Sequence, residues 1–168
     1  MVAKDESVIT QWANVETQYQ RRADLIPNLV NTVKGYASHE QETLEGVIKA
    51  RAAATSIKID ASNLTPAMIQ KYQAAQSGVT SALSKLLAVS ERYPDLKANQ
   101  NFLELQAQLE GTENRIAVER RRYNEITKDY NTYIRKFSTN MYAGMFGFDR
   151  KPPFESEKGS EQAPVVQF

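Results

Sequence analysis

The chain has 168 residues, a formal charge of +1, one His, one Trp and no Cys. That length fits one domain with a tail, and the missing Cys excludes a disulfide framework, a thiol nucleophile and a Cys-ligated metal. The charge balance gives no global pull toward nucleic acid or anionic lipid, and 41% hydrophobic residues is too apolar for a disordered chain.

No apolar run is long enough to span a bilayer, and the opening Lys4, Asp5 and Glu6 are not followed by the apolar core of a signal peptide. The helical pattern is already running by Val8, so Met1 reads as an internal start. Val8, Trp12, Val15 and Tyr19 then recur on one helix face. The phase continues through Ile26, Val30 and Val33 and on to Leu44 and Val47. Two readings compete here. One long helix bends at Pro27, or helix 1 ends near Ala23, Asp24 caps the next helix, and Pro27 sits in its first turn. The break is favoured, because a helix of about fifty residues is unusual.

Residues 57–65 read as a connector. Thr65-Pro66 is a helix start, a Thr cap followed by Pro at the first helical position. Leu64 and Ile69 are placed as a hydrophobic staple. Ile69, Tyr72, Gln76, Val79, Leu83, Leu86, Ser90 and Tyr93 mark the next helix, which Pro94 ends. The short loop that follows implies antiparallel neighbours.

The last long helix carries the strongest pattern. Phe102, Leu109, Ile116, Tyr123, Tyr130 and Phe137 repeat every seven residues, and Leu105, Thr112, Glu119, Ile126 and Tyr133 form a second row. This predicts coiled-coil-like packing over roughly 50 Å. A buried Glu119 needs a partner, and Gln76, Arg115 and Arg122 are the candidates. The favoured reading is a register-setting polar layer or a partly exposed edge. Met141, Met145, Phe146 and Phe148 read as a lid on one bundle end. From Asp149 the composition turns to Pro and charge, a solvated or loosely docked tail.

Chemical motifs fail one by one. His39 lies in His39-Glu40-Gln41-Glu42-Thr43, with Thr where a zinc protease needs a second His. A di-iron bundle needs Glu-x-x-His twice, and position 36 is Tyr. There is no Gly-x-Ser-x-Gly, P-loop or dinucleotide fingerprint. Arg120, Arg121 and Arg122 fan out around a helix and are interspersed with acids, so they read as a solvated face. Tyr123-Asn124 and Tyr130-Asn131 lie seven residues apart, and Asn28 and Asn31 sit on the earlier helix. Asn is a poor helix former, so hydrogen bonds between helices are expected, with a partner-binding strip as the alternative.

Several stretches resemble the LemA family: Gln20-Arg21-Arg22-Ala23-Asp24-Leu25-Ile26-Pro27-Asn28-Leu29-Val30 and its continuation from Val33 to Glu40. Others are Glu91 to Asn99, Gly111 to Ile116, Arg121-Arg122-Tyr123-Asn124, Gly147-Phe148 and the closing Pro164 to Phe168. The resemblance implies an antiparallel four-helix bundle. It also implies a single-pass membrane protein whose N-terminal transmembrane helix lies just before residue 1, with the bundle on the cytoplasmic side favoured. It implies no settled enzymatic activity.

The expectation is an all-α chain, an antiparallel four-helix bundle with long helices and a non-helical C-terminal tail. Residues 1–148 form the bundle, with helices at 5–23, 25–56, 66–92 and 99–138; residues 149–168 form the tail. The expected function is a protein-interaction or scaffolding module, bacterial and membrane-anchored, with no catalysis, cofactor, metal or nucleic acid, and open to self-association. The interaction surface is assigned to Arg21, Arg22, Asp24 and Asn28, and to Arg115, Glu119, Arg122 and Asn124. The alternatives are a small-ligand or enzymatic module built on the polar layer around Glu119, and a membrane-surface module using the Met/Phe-rich end.

Overall fold

The computed structural model describes residues 1–155 of the chain. These residues are all-helical apart from their connections, with six α-helices in the described part: α1 (Val2–Tyr36), α2 (Gln41–Ser56), α3 (Pro66–Ser90), the single turn α4 (Pro94–Lys97), α5 (Gln100–Ile134) and α6 (Phe137–Met145). A short 3-10 turn, Ala61–Asn63, interrupts the connector between α2 and α3.

The expected break at Asp24 does not occur. α1 runs unbroken through Pro27, and the chain turns only at residues 37–40. Proline lacks the N–H that would bond the carbonyl four residues back. That carbonyl belongs to Ala23, and Arg51 of α2 donates its Nε–H to it at 2.8 Å. A side chain from the neighbouring helix thus replaces the bond that Pro27 removes. Pro27 itself faces solvent, which leaves room for its ring.

Thr65 caps α3 as expected, its Oγ1 accepting from the Met68 N–H at 3.2 Å. Asn99 caps α5, accepting from the Phe102 N–H at 3.0 Å. The last helix ends earlier than its heptads predict. α5 stops at Ile134 and the chain bends at Arg135-Lys136, so Phe137 starts α6 and is 89% exposed instead of seated in the seam.

α1 lies along α5 in the opposite direction. Gln11 reaches Glu119, while Thr32 and Tyr36, further along α1, accept hydrogen bonds from Asn101 and Asn99. The interior divides into two apolar clusters. One gathers Ile26, Leu29, Val33, Leu86, Leu96 and Phe102 where α2 covers α1. The other gathers Trp12, Tyr19, Ile69, Tyr72, Tyr123 and Tyr130 beyond the end of α2. There two non-helical segments take the place of a helix: Ile57, Ile59 and Leu64 of the connector, and Phe154 of the segment of residues 149–155.

Candidate interaction surfaces

Between the two clusters lies a polar layer centred on Arg22, whose side chain is only 2% exposed. Its Nη1 donates to Thr80 Oγ1 and to Glu113 Oε1, both at 2.8 Å. Its Nη2 donates to the Gln76 carbonyl at 2.9 Å and to Gln76 Oε1 at 2.7 Å. The guanidinium also lies over the Tyr19 ring. A buried cation is tolerated only when so surrounded. Arg22, assigned from sequence to an outer surface, therefore ties α1 to α3 and α5. Arg21, Asp24 and Asn28 beside it do face solvent.

Glu119 sits in a second polar position. Its Oε2 accepts from Gln11 Nε2 at 2.7 Å, and its Oε1 accepts from Arg122 at 3.1 Å. Both carboxylate oxygens are engaged, and Gln76, one expected partner, belongs to Arg22 instead. The carboxylate is thus held on both oxygens, with its Arg122 partner at the surface. Arg115 and Arg121 are exposed. Among the described residues no group of three or more His, Cys, Asp or Glu is placed to hold a metal ion.

The Tyr–Asn repeat has a use that neither sequence reading foresaw. Asn131 and Lys151 exchange a pair of hydrogen bonds: Asn131 Nδ2 donates to the Lys151 carbonyl at 2.8 Å, and the Lys151 N–H donates to Asn131 Oδ1 at 2.9 Å. One heptad earlier, Asn124 does the same with Phe154, at 3.1 and 2.8 Å. The tyrosines follow suit. Tyr130 donates its hydroxyl to the Asp149 carbonyl and Tyr123 to the Pro152 carbonyl, both at 3.0 Å. Asn28 and Asn31 take no part and face solvent.

The match is metric. Seven helical residues advance about 10 Å, and three residues of extended chain span about 10 Å. Residues 149 and 151, then 152 and 154, therefore meet successive Tyr–Asn pairs. The tail, read as solvated or loosely docked, is fastened over residues 149–155. Its remaining residues, 156–168, including the apolar close from Pro164 to Phe168, lie outside the described part.

Side chains lock the strap further. Lys151 is 8% exposed. It donates to the Ser62 carbonyl at 2.8 Å and pairs with Asp5 at 3.3 Å. Phe154 stacks on Trp12 and meets Tyr123 edge-on, and the Arg120 guanidinium covers its ring. Burial pushes the Tyr123 hydroxyl up to about 12, and burial with the nearby Asp5 does the same for Tyr130.

A cleft of about 670 Å³ opens between α1, α2 and α3, lined in part by Glu16, Arg21, Arg51, Lys58 and Tyr72. Burial raises the Glu16 carboxyl above its ordinary value, against the lowering effect of Trp12 and Lys58. Its walls carry both signs of charge, with Arg51 already committed to Ala23.

The remaining surface feature is apolar. Along α6 and just past it, Met141 (70%), Tyr142 (55%), Met145 (75%) and Phe146 (66%) are exposed, and Ala143 is the one buried residue of the helix. The expected lid is thus mostly turned outward; Phe148 alone of that group packs against the aromatic cluster. This end of the molecule is also where α1 begins, since Lys4 lies over the Tyr133 ring.

Residues 11–168 match the model of the LemA family. The chain is similar to the magnetosome protein MamQ 2 of Paramagnetospirillum magneticum, 27% identical over 98% of this chain and 66% of that protein. It is also similar to Protein LemA of Metamycoplasma hominis, 27% identical over 77% of this chain and 55% of that protein. A third relative, the magnetosome protein MamQ of Magnetospirillum gryphiswaldense, is 30% identical over 55% of this chain and 34% of its own length. The chain thus spans no more than 66% of these curated relatives. No helix among the described residues is long and apolar enough to cross a membrane.

Proposed function

Because the chain belongs to the LemA family, we propose that it is the helical domain of a membrane-anchored protein and works as a protein-interaction or scaffolding module without catalysis of its own. The opposed course of α1 and α5 supports reading its long helices as an antiparallel four-helix bundle. The membrane anchorage rests on the family resemblance.

One observation carries the interaction reading. The charged groups of the polar layers, Arg22 and Glu119, are held by hydrogen bonds within the chain, whereas the large apolar side chains of α6 face solvent as a group. Clustered apolar exposure of this kind marks a contact surface. The α6 end is therefore the working surface, in preference to the arginine-bearing faces expected from sequence. Arg22, Glu119 and Asn124 are committed to internal bonds, which leaves Arg21, Asp24, Asn28, Arg115 and Arg122 as scattered polar surface.

A photo-crosslinking residue at Met141 or Met145, introduced into the protein in bacterial membranes, tests this. Capture of a defined protein, lost when the companion position is changed to Glu, supports the reading. Capture of lipid alone favours a membrane-surface role, and no capture at all contradicts a docking role for α6.

A further inference from the structure

The bend between α5 and α6 is not dictated by the residues that form it. From Gly111 to Gly144 the chain contains no intervening glycine or proline. The heptad that runs through Phe102, Leu109, Ile116, Tyr123 and Tyr130 continues in phase to Phe137, yet the helix stops three residues short. Phe137 is consequently the most exposed large apolar side chain of the described residues. The bend rests on Arg135 and Lys136, and Lys136 alone adopts an extended conformation (φ −63°, ψ 141°). A straight α5–α6 helix satisfies the same sequence pattern and leaves no break in the seam.

The strap beyond the bend is held in a way that does not depend on chain connectivity. Asn124 and Asn131 bond main-chain N–H and C=O groups, Tyr123 and Tyr130 bond main-chain carbonyls, and Phe154 fills one aromatic slot against Trp12. Main-chain pairing plus one anchored side chain is the usual means of reading an extended or polyproline-II peptide. Residues 149–155 from another molecule fit the ladder as well as the molecule's own. α6, which joins strap to body, buries only Ala143, so little holds the arm in place.

We infer that two copies of the chain exchange their straps: α5 and α6 straighten through Arg135-Lys136, and residues 149–155 of each copy dock on Tyr123, Asn124, Tyr130 and Asn131 of the other. An exchange of this kind remakes every strap contact and so costs little beyond association. The inference rests on the interaction-module reading and names its partner as a second copy of the same chain.

The test is the mass of the full-length chain by light scattering across a concentration series, compared with two variants. Phe137→Pro places proline after Lys136, whose extended backbone accepts it, at the first position of α6, where proline is welcome. In a continuous helix that same proline costs roughly 3 kcal/mol. Both copies carry the proline, so the exchange predicts a dimer whose association constant falls about 10,000-fold in Phe137→Pro, twice that energy converted at 1.4 kcal/mol per decade. Circular dichroism of the variant should show the native helix content. The second arm mixes an Asn124→Ala/Asn131→Ala chain with a Phe154→Ala chain. Exchange predicts more mixed dimer than either variant forms alone, because only that pairing joins an intact strap to an intact ladder. A chain that stays monomeric at every concentration, or a dimer indifferent to Phe137→Pro, overturns the inference. An α6 crosslink to an unlike protein would still stand in that event, so the two readings fail separately.

Discussion

The Trp12 indole and the Phe154 ring lie stacked, centroids 5.4 Å apart and planes within 7° of each other. They come from opposite ends of the described chain, and Trp12 is the only tryptophan. Its fluorescence therefore reports the seating of the strap.

Phe154→Ala should lower stability by about 3 kcal/mol, the lower end of the range for a buried phenylalanine. Trp12 emission should shift to the red in the folded state, because water enters the vacated slot. Urea titration followed by fluorescence and by circular dichroism gives both numbers. An unshifted spectrum would mean that residues 149–155 do not cover Trp12.

Arg51 and Pro27 should be energetically coupled although they never touch in sequence. Arg51→Met leaves the Ala23 carbonyl without its donor and should cost about 1 kcal/mol. In a Pro27→Ala background the restored backbone N–H takes that carbonyl, and most of the cost should vanish. A double-mutant cycle yielding a coupling of roughly 0.5–1 kcal/mol is expected; strict additivity would refute the substitution of a side-chain bond for a backbone one.

Arg22→Ala should cost roughly 3–5 kcal/mol, since it strands Gln76 and Thr80 in the interior and removes a cation whose two Nη groups make four hydrogen bonds. Glu113→Gln should cost about 1 kcal/mol or less. The Glu113 side chain is 40% exposed, and Arg22 keeps Gln76 and Thr80. Equal losses from the two substitutions would show that the ion pair, rather than the whole layer, holds Arg22.

Alkali should weaken the strap. Tyr123 and Tyr130 hold their protons to about 12 in the folded chain, against 10 for a free phenol. The folded state thus binds more protons between these values, so the stability is present in full below pH 10 and is lost as pH rises toward 12. Tyrosinate absorbance and Trp12 emission should change together over that window in the wild type. In Tyr123→Phe/Tyr130→Phe the emission change should move away from it.

Much of the architecture is written in local signals. The Thr65-Pro66 start, the Leu64–Ile69 staple and the heptads from Phe102 to Tyr130 all lie within a few turns of the residues they organise. What sequence reading missed depends on partners far along the chain. The continuity of α1 through Pro27 depends on Arg51, 28 residues away. The strap depends on Asn124 and Asn131 meeting residues 30 and 20 positions later. The Tyr–Asn repeat was visible as an anomaly, but a seven-residue helical period does not announce a three-residue period in an extended chain. Arg22 looked like surface because charge is rarely buried, and only the three-helix arrangement of Gln76, Thr80 and Glu113 shows why this one is.

The central claim, that α6 is a docking surface, is met most directly by co-purification of wild-type and Met141→Glu/Met145→Glu proteins from solubilised bacterial membranes, with thermal melts of both. The account predicts unchanged melting, because neither side chain is buried, together with loss of the partner recovered with the wild type. An undiminished partner with the variant, at equal stability, would contradict it.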